Sequence, residues 1–108
     1  MPSAFANIAA SQTDSSIVAA RTNMKVRVLA LHMSAGGTAT NVTFNTKPTG
    51  AGTAISPLFA LPINGERTLP HSSYNRAWLE TGKGEGLTVT TGAGATTGIL
   101  VVYDYMPS

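Results

Sequence analysis

The chain contains no cysteine. Disulfide staples and thiolate metal sites are therefore excluded, and cysteine usage marks no redox compartment. Charge is scarce as well: Asp, Glu, Lys and Arg make up 11% of 108 residues, against about 25% in an ordinary soluble domain. The basic residues are scattered as Arg21, Lys25, Arg27, Lys47, Arg67, Arg76 and Lys83, and the net charge is only +2. That spread gives no footprint for a polyanion, so no nucleic-acid partner is expected. No stretch approaches the roughly 20 apolar residues of a membrane helix, so no membrane partner is expected either. The opening run MPSAFANIAASQTD lacks the basic region and long apolar core of a signal peptide, and no export is expected.

Threonine, alanine and glycine fill the space that charge leaves. A disordered chain would be poor in apolar residues and rich in charge, and this one is the reverse. Its length suits one domain around one core.

The clearest order lies in residues 76–105, RAWLETGKGEGLTVTTGAGATTGILVVYDY. It reads as three consecutive strands. Ala77–Thr81 carries the only tryptophan, Trp78. Gly86–Thr91 alternates Leu87 and Val89 with Thr88 and Thr90. Ile99–Tyr105 is a near-continuous apolar run rich in β-branched and aromatic residues. Separated by glycine-rich turns, the three are expected to form an antiparallel meander closing a sandwich. Earlier in the chain, Ser15–Ala20 is a short strand. Met24–Met33 is a strong one, expected to place Val26, Val28, Ala30 and His32 on one face and Lys25, Arg27, Leu29, Leu31 and Met33 on the other. Thr38–Thr46 returns with Val42 and Phe44 inward. Pro48, Pro57, Pro62 and Pro70 confine the middle to edge strands and loops. There, Asn64-Gly65 between LFALPI and ERTL is the dipeptide of a type I′ hairpin.

The fold class expected is all-β: an antiparallel β-sandwich, jelly-roll-like, of about eight short strands. Its core is expected to hold Val26, Val28, Phe44, Leu87, Val89, Leu100 and Val102. Residues 1–14 read as an extended N-terminal arm anchored by Phe5 and Ile8, and residues 15–108 as the sandwich domain.

No constellation of catalytic residues emerges. His32 lies in an apolar strand and is expected to be packed and bonded to backbone. His71 precedes Ser72 and Ser73, but neighbours in sequence seldom meet as nucleophile and base, and no Gly-x-Ser-x-Gly elbow is present. The acids are Asp14, Glu66, Glu80, Glu85 and Asp104. Glu80 and Glu85 could face each other across a hairpin as a glycosidase pair does, but read better as solvated turn charges beside Lys83. Two histidines and no acid cluster give no metal site. Gly82–Gly86 lacks the spacing that cradles phosphate, and no cofactor is expected. Asn41-Val42-Thr43 matches a glycosylation acceptor but falls mid-strand. Trp78, Tyr74, Tyr103 and Tyr105 could build a sugar-stacking platform, although aromatics in strands more often pack in cores and interfaces.

Lys25-Val26-Arg27-Val28-Leu29-Ala30, then Val42-Thr43-Phe44, Leu61-Pro62-Ile63-Asn64-Gly65 and Leu69-Pro70 form a pattern. It continues with Trp78-Leu79-Glu80-Thr81, Gly84-Glu85-Gly86-Leu87 and Gly98-Ile99-Leu100-Val101-Val102-Tyr103. Over residues 15–105 this resembles small tailed-phage virion proteins of the jelly-roll capsid decoration, or cement, type. The resemblance implies a non-enzymatic structural protein on the virion's capsid surface, made in the host cytoplasm. It would bind the major capsid protein, staple neighbouring capsomers, and itself be a homo-oligomer (dimer or trimer). A tail-associated carbohydrate- or receptor-binding module is the alternative. Phe5, Ile8, Tyr74 and Tyr105 are the residues expected at the partner interface.

Overall fold

A computed structural model describes residues 3–48, 50–70, 77–94 and 96–107. Ten strands follow one another: β1 Ser3–Ile8, β2 Ser15–Val18, β3 Met24–Ala35, β4 Thr40–Lys47 and β5 Thr53–Ala54, then β6 Phe59–Leu61, β7 Glu66–Leu69, β8 Leu79–Glu80, β9 Gly86–Thr91 and β10 Thr97–Pro107. No helix occurs among the described residues.

The strands make two antiparallel sheets. The first runs β1-β10-β3-β7, with β8 also on β3; the second runs β2-β9-β4-β5, with β6 also on β4. β7 pairs with Leu31–Ser34 and β8 with Arg27–Val28, so these two short strands share one lane beside β3. β5 and β6 share a lane beside β4 in the same way. Merging each pair leaves eight lanes, four to a sheet. The first four strands alternate between the two sheets, which is the jelly-roll arrangement.

Proline accounts for one of the split lanes. Pro57 lies between β5 and β6, where a ladder donor is missing. Beside it the Ser56 hydroxyl accepts from the Phe44 amide at 2.9 Å, so that donor of β4 stays satisfied.

The facing surfaces are apolar. Val26, Val28, Val42, Phe44, Leu87, Val89 and Val101 are almost wholly buried, and burial of a side chain of this size is worth about 1.5–3 kcal/mol. Phe44 meets Phe59 edge-on, centroids 6.3 Å apart. Four features differ from the sequence expectations. First, Leu100 and Val102 face outward, Leu100 at 45% exposure, while Ile99 and Val101 fill the core. A continuous apolar run carries no phase, so either set could have faced inward. Second, β3 changes phase midway. Opposite β10, Val102 pairs with Ala30 but Tyr103 pairs with Val28, which leaves Leu29 as a bulge. Val26 and Val28 point inward before it and Leu31 and Met33 after it, so Ala30 and His32 lie outside.

Third, residues 76–105 do not form a meander: β8 and β10 belong to the first sheet and β9 to the second. Likewise Asn64-Gly65 closes no hairpin. The Gly65 amide donates to the Pro62 carbonyl at 2.8 Å, and of the two only Asn64 has positive φ, at 54°. That is a type II pattern with Asn third, and it carries the chain from one sheet to the other. Fourth, the stretch expected as a free arm contains β1, paired with β10 from Ser3↔Val102 to Ile8↔Thr97. Its period-two pattern uses small residues: Ala4, Ala6 and the buried Ile8 turn inward, and Ser3, Phe5 and Asn7 outward. Residues 3–8 are thus a lane of the first sheet.

Candidate functional site

The two outer faces of the sandwich differ. The face of the second sheet is closed by its own loops. Asp14, with φ at 52°, folds back over β9 and β4. Its Oδ1 accepts from Asn45 Nδ2 at 3.1 Å and Thr88 Oγ1 at 3.2 Å, and its Oδ2 from the Gly52 amide at 3.1 Å. A Cβ on Gly52 would lie 2.3 Å from the same carboxylate, so only glycine allows this approach. With both oxygens engaged by donors, Asp14 acts as a clasp between its loop and the sheet. Among the described residues, no three His, Asp or Glu side chains gather as a metal would need.

The outer face of the first sheet is open, and its composition changes along the strands. At one end Arg27, Asp104, Lys25 and Glu80 form a charged ladder. Arg27 grips Asp104 in a two-pronged contact, Nε to Oδ1 at 2.9 Å and a terminal nitrogen to Oδ2 at 2.6 Å. That hydrogen bond holds the Asp104 carboxyl below its ordinary range and raises Arg27. Lys25 lies 2.6 Å from Glu80. Beyond the Leu29 bulge the face turns apolar. Pairing registers set Phe5, Leu100, His32 and Thr68 in one row across four strands, and Ser3, Val102 and Ala30 in the next. Phe5 is 80% exposed. A shallow depression of about 230 Å³ lies between these rows, lined by Ala30, His32, Thr68, Pro70, Leu100 and Val102 among others. Trp78, 46% exposed, borders it: the indole Nε1 donates to the Pro70 carbonyl at 2.7 Å.

His32 sits within this face, bonded to a side chain where a backbone partner was expected. Its Nδ1 is 2.8 Å from Thr68 Oγ1, and its Nε2 is 3.6 Å from Glu66. Hydroxyl, imidazole and carboxylate thus stand in the order of a nucleophile, a base and an orienting acid. The geometry is poor for that use. The Glu66 contact exceeds hydrogen-bond length, and the row lies on an open sheet face beside apolar side chains. As a surface hydrogen bond it orients His32.

The interface residues expected from sequence separate here. Phe5 is on the open face. Ile8, 7% exposed, belongs to the core. Tyr105 turns to the inner side of β10. Its hydroxyl donates to the Ala19 carbonyl at 2.7 Å, Arg21 lies 4.2 Å over its ring, and Tyr103 packs edge-on at 5.7 Å. Burial pushes the Tyr105 phenol up. Tyr74, His71, Ser72 and Ser73 lie outside the described residues. Trp78 and the pair Tyr103–Tyr105 occupy opposite sides of the first sheet, so they make no common platform. The acids Glu80 and Glu85 also part: Glu80 meets Lys25, and Glu85 accepts from Thr46 Oγ1 at 2.7 Å. The exposed residues that sequence reasoning missed are Leu100 and Val102, whose phase only the bulge and the pairing reveal.

No family model matches the chain, and no curated protein matches it. Among solved structures it is similar to the crystal structure of PirA, with a TM-score of 0.50 over 96% of this chain and 93% of that one. The identity is 11%, so the likeness is one of fold: an all-β sandwich of two antiparallel sheets.

Proposed function

We propose that the protein is a structural virion protein of the capsid decoration type, binding the outer surface of a phage head and stapling neighbouring capsomers. The observation that carries this reading is the open apolar face of the first sheet, where Phe5, Leu100 and Val102 stand exposed or half-exposed beside Ala30. Exposed apolar surface of this kind marks an interaction site. The sequence pattern over residues 15–105 supports the choice of the major capsid protein as partner. A tail-associated carbohydrate- or receptor-binding module is the second reading. It is favoured by Trp78, half-exposed beside the depression with its indole nitrogen already bonded.

The test is copurification with intact particles. The protein should band with heads at fixed stoichiometry, and Leu100→Asp should reduce attachment at least tenfold with folding unchanged. Absence from heads together with retention on a glycan matrix, lost in Trp78→Ala, establishes the second reading instead.

A further inference from the structure

A sandwich of two open sheets has four edges, and three of them here are blunted. Opposite β1, the first sheet ends in β7 and β8, which are short and carry Glu66, Arg67 and Glu80. The second sheet ends on one side in β5 and β6, of two and three residues, with Pro57 between them. On the other side it ends in β2, four residues long and interrupted by a register shift against β9. Short strands, charges, prolines and irregular pairing are the devices that keep sheet edges from joining. β1 has none of them. It runs for six residues, Ser-Ala-Phe-Ala-Asn-Ile, without charge or proline. It pairs with β10 on one side and, among the described residues, with no strand on the other.

We infer that β1 is the seam of a two-fold dimer, in which it pairs antiparallel with β1 of a second copy. The second copy is the fitting occupant because the strand is complementary to itself, and its alternation narrows the register. Ser3, Phe5 and Asn7 point outward while Ala4, Ala6 and Ile8 point inward. Residues opposite each other in a pair must share a face, since a slip of one position turns every side chain over. Two registers meet that condition equally centrally, one about Phe5 and one about Ala6. The first, which covers the exposed Phe5 with an aromatic partner, sets Phe5 against its own copy, Ala4 against Ala6, and Ser3 against Asn7. Such an interface is isologous and closed. It joins the two four-lane sheets into one of eight lanes. It also runs the row His32–Leu100–Phe5 into its symmetry mate, which gives the 80% exposed Phe5 an aromatic cross-strand neighbour. This inference rests on the edge alone and stands whether or not the virion reading does.

The natural chain has no cysteine, so single substitutions report the register directly. Opposed residues in an antiparallel pair have Cα atoms about 4.5–5.5 Å apart, within disulfide reach. Phe5→Cys should therefore oxidise to a covalent dimer. Ser3→Cys should stay monomeric on a denaturing gel, because four residues of strand hold its two copies about 13 Å apart. Ser3→Cys combined with Asn7→Cys should restore the cross-link. By sedimentation, the unmodified protein should run at twice its 11.1 kDa chain mass across a dilution series, and Phe5→Lys at the single mass. Circular dichroism checks that each variant is folded. A monomer at every concentration, a dimer that survives Phe5→Lys, or equal cross-linking through position 3 alone would each overturn the proposal.

Discussion

Thr97 shows how much one atom decides. Its side chain is fully buried at the start of β10, and its Oγ1 has no hydrogen-bond partner among the described residues. An uncompensated buried hydroxyl costs about 1–3 kcal/mol. Thr97→Val keeps the shape and removes the hydroxyl, so the midpoint of urea unfolding should rise by the equivalent of about 1 kcal/mol; a lower midpoint would contradict this. Trp78 argues the other way. A tryptophan in a strand reads from sequence as a core residue whose truncation costs about 3–5 kcal/mol. Half-exposed and held by one bond to Pro70, it should cost only about 1–2 kcal/mol as Trp78→Ala, measured in the same way. Composition could not separate these cases. The same holds in β10, where Leu100 is as apolar as Ile99 and only the pairing decides which one meets the core.

At the scale of the element, alternation made β9 legible because its threonines and aliphatics differ sharply in polarity. Val42 and Phe44 in β4 were legible for the same reason. β3 was found but misphased, since the bulge at Leu29 inserts a step that no local residue announces. β1 was missed. Its inward residues before Ile8 are two alanines, too small to stand out from serine and asparagine in a polar-looking stretch. The consequence is measurable. As a free arm, residues 1–8 could be deleted without loss. As a strand whose Ile8 is buried and whose ladder covers β10, their removal should lower stability by about 3 kcal/mol or more, since it strips a core side chain and exposes a sheet edge. Thermal unfolding of the deletion variant checks this, and an unchanged midpoint would return the segment to the status of an arm.

For the whole molecule, two groups tie stability to pH. The hydrogen bond from Arg27 holds Asp104 below its ordinary value of 3.8. As pH falls the unfolded chain takes up that proton first. The stabilisation is complete above about 3.8 and is lost as pH drops through the depressed value. Tyr105 bounds the other side. Burial raises its phenol above 10.0, so the unfolded chain ionises first and stability declines as pH climbs past 10.0. Unfolding midpoints measured against pH check both. Asp104→Asn should flatten the acid limb and Tyr105→Phe the alkaline one.

The position of β10 has a bearing on how the molecule is made. β10 is not at a margin: it lies between β1 and β3, paired with β3 from Thr97 to Pro107 and with β1 from Thr97 to Val102. While the chain emerges from the ribosome at about 5–20 residues per second, β1 waits with no lane beside it until residues 97–107 are free. Sheet closure between such distant segments is slow. For several seconds of synthesis, then, β1 and β3 are unsealed apolar strands, exposed to capture by a chaperone or by another nascent copy. Folding is completed from the carboxyl side, by the insertion of a central lane between two that are already made.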